Sequence, residues 1–166
     1  MIRELDQSTF SRDFFALMAE VECGDRFVSS NPQHVKWLKD RIQCRFDSGA
    51  RFFASYLDDG TAVGFSAVLV EPKLEGVRFT GQYSEIVAIG VMERFRRGGH
   101  GSDLLRFSET YGREQGAYCQ YVVTYAGAQG TVEFYQRNGF EVVATLPDVH
   151  GPRAAGNVYM RKLLCR

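Results

Sequence analysis

The sequence has few of the features that mark several protein classes. Its 166 residues include only four cysteines and three histidines, without a CxxC spacing, so no disulfide framework or zinc site is indicated. Lysine plus arginine (20) equals aspartate plus glutamate (20), which gives no bulk field for nucleic acid or an anionic membrane. No window approaches about eighteen continuous apolar residues, and the first residues carry acids instead of an apolar segment. We therefore expect a cytoplasmic protein with reduced thiols and no metal, membrane span or signal peptide.

The residues that are present are typical of one folded domain. Hydrophobic residues make up 45% of the chain and aromatic residues 13%, values that exclude disorder as the main state. The four prolines are isolated, and no repeat or low-complexity linker divides the chain. We predict a single domain over residues 1–166.

Hydrophobic periodicity and turn residues predict the element order βααβββαβαββ. Asn31 followed by Pro32 predicts a helix start, and the run Asp58, Asp59, Gly60 predicts a hairpin turn. The predicted strands are Ile2–Leu5, Arg51–Leu57, Ala62–Val70, Gln82–Val91, Tyr118–Thr124, Glu141–Leu146 and Asn157–Leu163. The predicted helices run from a Ser8 cap to near Gly24, from Pro32 to an end at Gly49, from about Ser102 to Gln115, and from Gln129 to Asn138.

A glycine-rich, basic run lies between a predicted strand and a predicted helix. ERFRRGGHGSDLL places Arg96 to Gly101 directly before the helix, where free backbone N–H groups and the positive helix end favour an anion. The GxxxxGK[ST] pattern is absent, and a dinucleotide G-x-G-x-x-G would need glycine at Leu104, so ATP hydrolysis and hydride transfer lose support. By itself the run also fits an ordinary connection with exposed arginines; the motifs on either side favour the anion site.

Read as R-x-x-G-x-G, the run Arg96 to Gly101 resembles the pyrophosphate loop of the GCN5-related N-acetyltransferase (GNAT) superfamily. Upstream, IVAIGVMERF resembles the strand that pairs with pantetheine, and downstream VEFYQRNGFEVV resembles the signature FYxxxGF. Together the three motifs cover about Glu85 to Val143. The resemblance implies an α/β fold of the α+β type: a twisted, mixed and mostly antiparallel sheet of about seven strands flanked by four helices, with strands four and five splayed for acetyl-CoA.

The resemblance also implies an activity and its donor site. It implies an N-acetyltransferase in which a primary amine of a small molecule, peptide or protein attacks acetyl-CoA directly, and it allows a homodimer. The donor would be held by the backbone of the strand and by the loop. The implied binding residues are Ile89, Val91, Arg96, Arg97, Gly98, Gly99, His100, Gly101 and Ser102. The sequence departs from the family pattern at Glu93, Arg97, Ala128 and Thr131, where the family often has proline, glycine, asparagine and alanine.

Acetyl transfer needs a neutral amine, so a proton must leave the acceptor. Glu85 shares a strand face with Ile89 and Val91 by alternation, and the resemblance implies that it is the general base, directly or through water. The alternative is a strand-end glutamate in solvent or in a salt bridge. The resemblance implies that Tyr135 donates a proton to the thiolate of CoA or orients its sulfur; the alternative is core packing beside its aromatic neighbours.

The acceptor itself stays open. The family's acceptor groove would lie between residues 23–31 and 147–156, where Glu22, Asp25 and Asp148 could attract an amine or simply be solvated. His150 is a candidate second base or an exposed loop histidine, and Trp37, Tyr83 and Tyr125 shape the groove or pack in the core.

Two other functions remain as alternatives. The main one is an acyl-CoA-binding sensor or partner module that has lost turnover. A nucleic-acid phosphate site at Arg94, Arg96 and Arg97 is disfavoured because the net charge is zero.

Overall fold

A computed structural model describes residues 1–5, 12–23, 27–71 and 81–164. The predicted element order is confirmed, and the predicted Ser8 cap and the helix end near Gly24 lie outside the described residues. The strands are β1 (Ile2–Leu5), β2 (Arg51–Tyr56), β3 (Ala62–Val70), β4 (Tyr83–Val91), β5 (Cys119–Tyr125), β6 (Glu141–Leu146) and β7 (Asn157–Leu163). The helices are α1 (Arg12–Cys23), α2 (Pro32–Asp47), α3 (His100–Glu114) and α4 (Gln129–Arg137), and a 3-10 turn covers Glu93–Phe95.

The strands form a mixed seven-stranded sheet in the order β1-β2-β3-β4-β5-β7-β6, which confirms the predicted fold class. The ladders β1–β2, β2–β3, β5–β7 and β6–β7 are antiparallel. Strands β4 and β5 are parallel, and their ladder joins Tyr83–Ile86 to Cys119–Val122. The splay of these strands for a donor stays a prediction.

The chain divides into two compact units, Met1–Leu69 with Ala88–Ser108, and Val70–Val87 with Glu109–Arg166. In the first unit, β2 is buried on both faces, which explains its continuous apolar run. Phe52 packs against Phe46 of α2, with ring centroids 4.4 Å apart, whereas Phe53 packs against Phe107 of α3 at 5.0 Å. Because successive strand residues point to opposite faces, α2 and α3 lie on opposite sides of this strand.

In the second unit, α3 covers one face of the strands. Ser84 and Gln120 are fully buried there, and Gly112 of α3 packs so closely on Ser84 that a Cβ would lie 2.7 Å from its hydroxyl. On the same side, Lys162 of β7 forms a 2.6 Å ion pair with Glu109 of α3. The residues that alternate with these point away from α3 and form the second face.

Candidate functional site

The glycine-rich run forms a short loop that ends two residues earlier than predicted. Helix α3 begins at His100 rather than near Ser102, so Arg96 to Gly99 precede the helix while His100, Gly101 and Ser102 form its first turn. A first turn has backbone N–H groups without acceptors in the helix. The earlier start therefore keeps these donors available and adds the helix dipole to them.

The backbone donors of this loop are free over a continuous stretch. Within the described part of the chain, the N–H groups of Arg97 to Ser102 have no hydrogen-bond acceptor. By contrast, Phe95, Arg96 and Asp103 on either side donate to backbone carbonyls. Such a run of unsatisfied donors before a helix fits an anion with several oxygens, as a pyrophosphate has.

The backbone conformation of the loop favours N–H groups that point toward one place. Arg97 has φ 64° and Gly99 has φ 86°, both in the left-handed region, and alternation of left- and right-handed residues turns successive N–H groups toward one concavity. A Cβ at Gly99 would have no atom within 4 Å, so the space beside it is open. Arg97 adopts at some cost the conformation that glycine, common in the family at this position, adopts freely.

The side chains of Arg96 and His100 are bound to the protein itself. Arg96 Nε donates to the carbonyl oxygen of Val91 at 3.1 Å, which ties the loop to the end of β4. His100 Nδ1 lies 3.2 Å from Ser55 Oγ of β2. These two residues therefore position the loop through their side chains, and the carbonyl of Val91 keeps only one lone pair for another donor.

Helix α1 packs closely against the end of β4. A Cβ at Gly90 would lie 2.0 Å from Val21 Cγ1, so only glycine fits between Ile89 and Val91. In addition, Glu20 of α1 accepts the backbone N–H of Glu93 at 3.2 Å. Through these contacts α1 fixes the strand end from which the loop departs.

The predicted shared face of Glu85 and Val91 is wrong. Val91 lies beside Leu104 of α3, both within 3.3 Å of the position of a Cβ on Gly64, so its side chain faces α3. Ser84 also faces α3, which turns the next residue, Glu85, away from that helix. Strict alternation cannot place both Ser84 and Val91 on the α3 side, so the alternation shifts between them, as it does at a β-bulge.

Glu85 is half-buried on the face of β4 that points away from α3. Burial raises the pKa of its carboxyl above the ordinary value, because a charged carboxylate loses hydration there. It forms no ion pair with any described residue, so the salt-bridge alternative is not what the structure shows. A half-buried carboxylate whose pKa is raised is suited to accept a proton.

Tyr135 lies in α4 with only 3% of its surface exposed. Its ring packs against Phe134 and Phe140, with centroids 5.3 and 5.5 Å away. Burial raises the pKa of the phenol above its ordinary value, so the hydroxyl stays protonated and able to donate a hydrogen bond. The core packing that the sequence analysis gave as the alternative is therefore present, and the donor role of Tyr135 stays a prediction.

A row of polar side chains that the sequence analysis missed crosses four strands beside Glu85. Glu85 pairs in register with Tyr121, Tyr121 with Arg161, and Arg161 with Glu141, so all four share one face. Arg161 forms a 2.6 Å ion pair with Glu141, and Glu141 and Tyr121 together raise the pKa of its guanidinium. The alternation of Val158 and Met160 with polar neighbours in β7 was the sequence signal for such a two-faced strand.

Several of the predicted acceptor residues are already engaged. Glu22 bonds to Arg41 at 2.9 Å and to Arg45, with 8% of its side chain exposed, so it joins α1 to α2 and is not available to an amine. Asp25 lies outside the described residues. Asp148 accepts the backbone N–H of Arg153 at 2.6 Å, which fixes the loop before β7.

Trp37 lies on α2, whereas Tyr125 and His150 lie together at the end of β5. Trp37 is 49% exposed on α2 with the guanidinium of Arg41 over its ring at 5.4 Å, so it is not a core residue. Tyr125 is 46% exposed, and the ring of His150 packs on it with centroids 5.7 Å apart. His150 Nε2 is 2.8 Å from Asn157 Oδ1, so this exposed histidine is held in place.

The chain is similar to known acetyltransferases in sequence and in fold. The model of the acetyltransferase (GNAT) family matches residues 11–140. The structure of a ribosomal-protein-alanine N-acetyltransferase from Brucella melitensis superposes with a TM-score of 0.70 at 22% identity, covering 98% of this chain and 99% of that one. The ribosomal-protein-S18-alanine N-acetyltransferase from Escherichia coli gives 0.71 at 14% identity, covering 100% and 94%.

A third similar structure was solved with a ligand. An aminoglycoside 6'-N-acetyltransferase complexed with coenzyme A gives a TM-score of 0.68 at 15% identity, covering 100% of this chain and 98% of that one. No curated protein sequence matches the chain. Among the described residues, no helix has the length and apolar character that crossing a bilayer requires, and no three His, Cys, Asp or Glu side chains are grouped to hold a metal ion.

Proposed function

The chain belongs to the acetyltransferase (GNAT) family, and we propose that it transfers the acetyl group of acetyl-CoA to a primary amine of a small molecule, peptide or protein. The observation that carries this proposal is Glu85, a half-buried carboxylate whose pKa burial raises and which forms no ion pair with the residues that the structure describes. Such a group is costly to a fold and is typical of a site that moves a proton.

The donor fits the loop of the first unit. Acetyl-CoA, when bound, supplies an acetyl group already activated as a thioester. The free N–H groups of Arg97 to Ser102 would bind its pyrophosphate, and the open space beside Gly99 leaves room for phosphate oxygens. Ile89 and Val91 would offer backbone groups to the pantetheine, and the side chain of Arg97 adds a positive charge.

Glu85 acts as the general base in this proposal. An alkylamine has a pKa of about 10 and an α-amine about 8, so at neutral pH most acceptor molecules are protonated. The carboxylate of Glu85 accepts the ammonium proton, directly or through one water, and the neutral nitrogen can then attack. Because burial raises the pKa of Glu85 toward that of the amine, the transfer is less unfavourable than it would be to an exposed glutamate.

Tyr135 assists the leaving sulfur. A thiol has a pKa of about 8.5 and a free phenol about 10, and burial raises the pKa of Tyr135 further. Complete proton transfer from this phenol to a thiolate is therefore uphill, by about 1.4 kcal/mol for each pKa unit of the difference. We infer that Tyr135 donates a hydrogen bond that stabilises the thiolate as the C–S bond breaks. The first ammonium proton, accepted by Glu85, returns to solvent, and the second proton, which the nitrogen loses as the amide forms, neutralises the thiolate to the thiol of CoA.

Compartment, domain number and assembly are also part of the proposal. Cys44 and Cys119 are free thiols, which supports a reducing compartment such as the cytoplasm.

We propose that residues 1–166 unfold as one domain, which a single calorimetric transition would support. A homodimer stays a prediction, and light scattering at several concentrations checks it.

The first experiment is calorimetric titration of acetyl-CoA and of CoA, followed by thiol release with a panel of amines. Binding with amine-dependent thiol release is the expected result. Binding without release from any amine would favour the acyl-CoA-binding sensor instead. The absence of binding would contradict the proposed function.

A further inference from the structure

The second unit has a sheet face that is rich in tyrosine. Tyr121 shares a face with Glu85 and Arg161 because they pair in register. Residues two or four positions away on the same strand point the same way, which adds Tyr83 on β4, Tyr125 on β5 and Tyr159 on β7. Tyr83, Tyr121, Tyr125 and Tyr159, with Glu85 among them, are called the tyrosine face below.

The tyrosine face is accessible. Tyr125 is 46% exposed and Val123, between Tyr121 and Tyr125 on the same face, is 38% exposed, whereas the opposite face carries fully buried residues such as Gln120. The rings of Tyr83 and Tyr121 pack edge to face, with centroids 5.5 Å apart. Tyr83, Tyr121 and Tyr159 are partly exposed, and a contiguous aromatic surface that solvent reaches indicates a binding surface.

The charges at this face are complementary to a cation. Glu71, whose backbone N–H donates to the carbonyl oxygen of Tyr83 at 3.0 Å, raises the pKa of the Tyr83 phenol, and burial and the charge of Glu85 raise it further. The one cation in the row, Arg161, is neutralised by its ion pair with Glu141. Among the described residues, Glu71 and Glu85 therefore leave the face negative, which attracts an ammonium group and repels an acidic acceptor.

Backbone recognition of a peptide is not available at the centre of this face. A peptide that adds to a sheet needs an unpaired strand edge. Residues Cys119–Val122 of β5 pair with β4 on one side and with β7 on the other. An acceptor here must be recognised by side chains, and those side chains are aromatic rings and a carboxylate.

We propose that the acceptor is a small primary amine carried on an aromatic or other flat apolar body. Its ammonium would lie at Glu85, and its body would stack on the rings of Tyr125 and Tyr159 or present its charge to their faces. The inference rests on the proposed function, which it narrows to one class of acceptor.

The test compares acceptors of similar apolar size with and without a ring. Thiol release is measured with 2-phenylethylamine, hexylamine, spermidine, an aminoglycoside and a short peptide. We expect phenylethylamine to give the highest kcat/KM, exceeding hexylamine by about five- to tenfold, the size of stacking and cation–π effects. Tyr125→Leu and Tyr159→Leu should each lower that ratio by about threefold or more, whereas Tyr125→Phe and Tyr159→Phe, which retain the ring, should preserve it.

The outcomes separate this inference from the proposed function. Preference for the peptide, the aminoglycoside or spermidine would overturn the aromatic acceptor and leave acetyl transfer standing. The aromatic acceptor would also be overturned, with acetyl transfer left standing, by equal kcat/KM values for phenylethylamine and hexylamine. The same conclusion would follow if the Leu variants left the ratio of these two values unchanged. Thiol release from none of the amines would overturn both. The Kd for CoA, measured on each variant, shows whether a Leu variant is still folded and able to bind the donor.

Discussion

The loop in the first unit and the Glu85 site in the second unit are built from different parts of the polypeptide. The loop offers backbone N–H groups from Arg97 to Ser102, while the side chains of Arg96 and His100 bind back to the protein. The proposed second site would depend on side chains, a carboxylate at Glu85 and a phenol at Tyr135, whose pKa values burial raises. A backbone site should tolerate the loss of a side chain but not a change of backbone conformation, and a side-chain site should show the reverse.

Glu85→Gln should have the largest effect. The amide retains size and polarity but cannot accept a proton, so we expect kcat/KM to fall about 100- to 1,000-fold with the Kd for CoA unchanged. The raised pKa of Glu85 sets the acidic limb of the wild-type profile, where activity rises with pH as the carboxyl ionises. The variant should lose that limb. Its activity relative to the wild type should be lowest just above the pKa of Glu85, where the wild-type carboxyl is ionised but neutral amine is scarce. A pH–rate profile of unchanged shape would move the base elsewhere.

Gly99→Asp should damage the loop almost as strongly. The substitution puts a side chain at φ 86° and a carboxylate into the open space beside the free N–H groups, so we expect the Kd for CoA to rise about 100-fold. Gly60→Asp is the matched control, because Gly60 has φ 85° and no atom within 4 Å of its Cβ position. It should cause similar backbone strain with unchanged CoA affinity. Equal affinities for the two variants would argue against the loop assignment.

Tyr135→Phe should lower kcat about tenfold, the value of one hydrogen bond to a charged sulfur. The phenyl ring retains the packing on Phe134 and Phe140, so the melting temperature and the Kd for CoA should stay near those of the wild type. Phe134→Leu, on the neighbouring position, tests packing without removing the hydroxyl. If it lowers kcat as much as Tyr135→Phe does, the hydroxyl has no role of its own.

Arg97→Gly should have the smallest effect on binding. Glycine relieves the left-handed strain at φ 64° but makes the unfolded chain more flexible, so a net stabilisation of about 0.5 kcal/mol is expected. Losing one positive charge should raise the Kd for CoA by only about threefold. Arg153→Gly, also at φ 64°, should give the same stabilisation with no change in CoA affinity. A rise of more than tenfold for Arg97→Gly would show that the loop binds through this side chain and not mainly through its backbone.

Prediction from sequence succeeded where the signal is local. The cap at Asn31, whose side chain accepts from Gln33 N, and the turn at Gly60, with φ 85°, were both read from neighbouring residues. The glycine loop was read in the same way, with its helix start misplaced by two residues. Caps, turns and glycine-rich loops before helices are predictable because their backbone geometry is decided within a few residues, whereas phosphate binding by this loop stays a prediction.

Prediction from sequence failed where residues distant along the chain meet. The sequence analysis named Glu22 as a candidate to attract an amine. In the structure Arg41 and Arg45 neutralise it, because α2 packs beside α1. The shared face of Glu85 and Val91 followed from strict alternation, which the shift along β4 breaks. Neither ion-pair choice nor a strand irregularity has a local signature in the residues that form it.

The sequence by itself determined the order of elements, the backbone donors before α3 and the family to which the chain belongs. Only the tertiary structure decided that Glu85 is half-buried and forms no ion pair with a described residue, that Arg96 and His100 bind back to the strands, and that Tyr121, Arg161 and Glu141 line up beside Glu85. Propensity and turn chemistry act over a few residues and can be read along the chain. Burial, register and charge pairing are set when segments far apart in sequence pack together, and these properties decide what the exposed groups can bind.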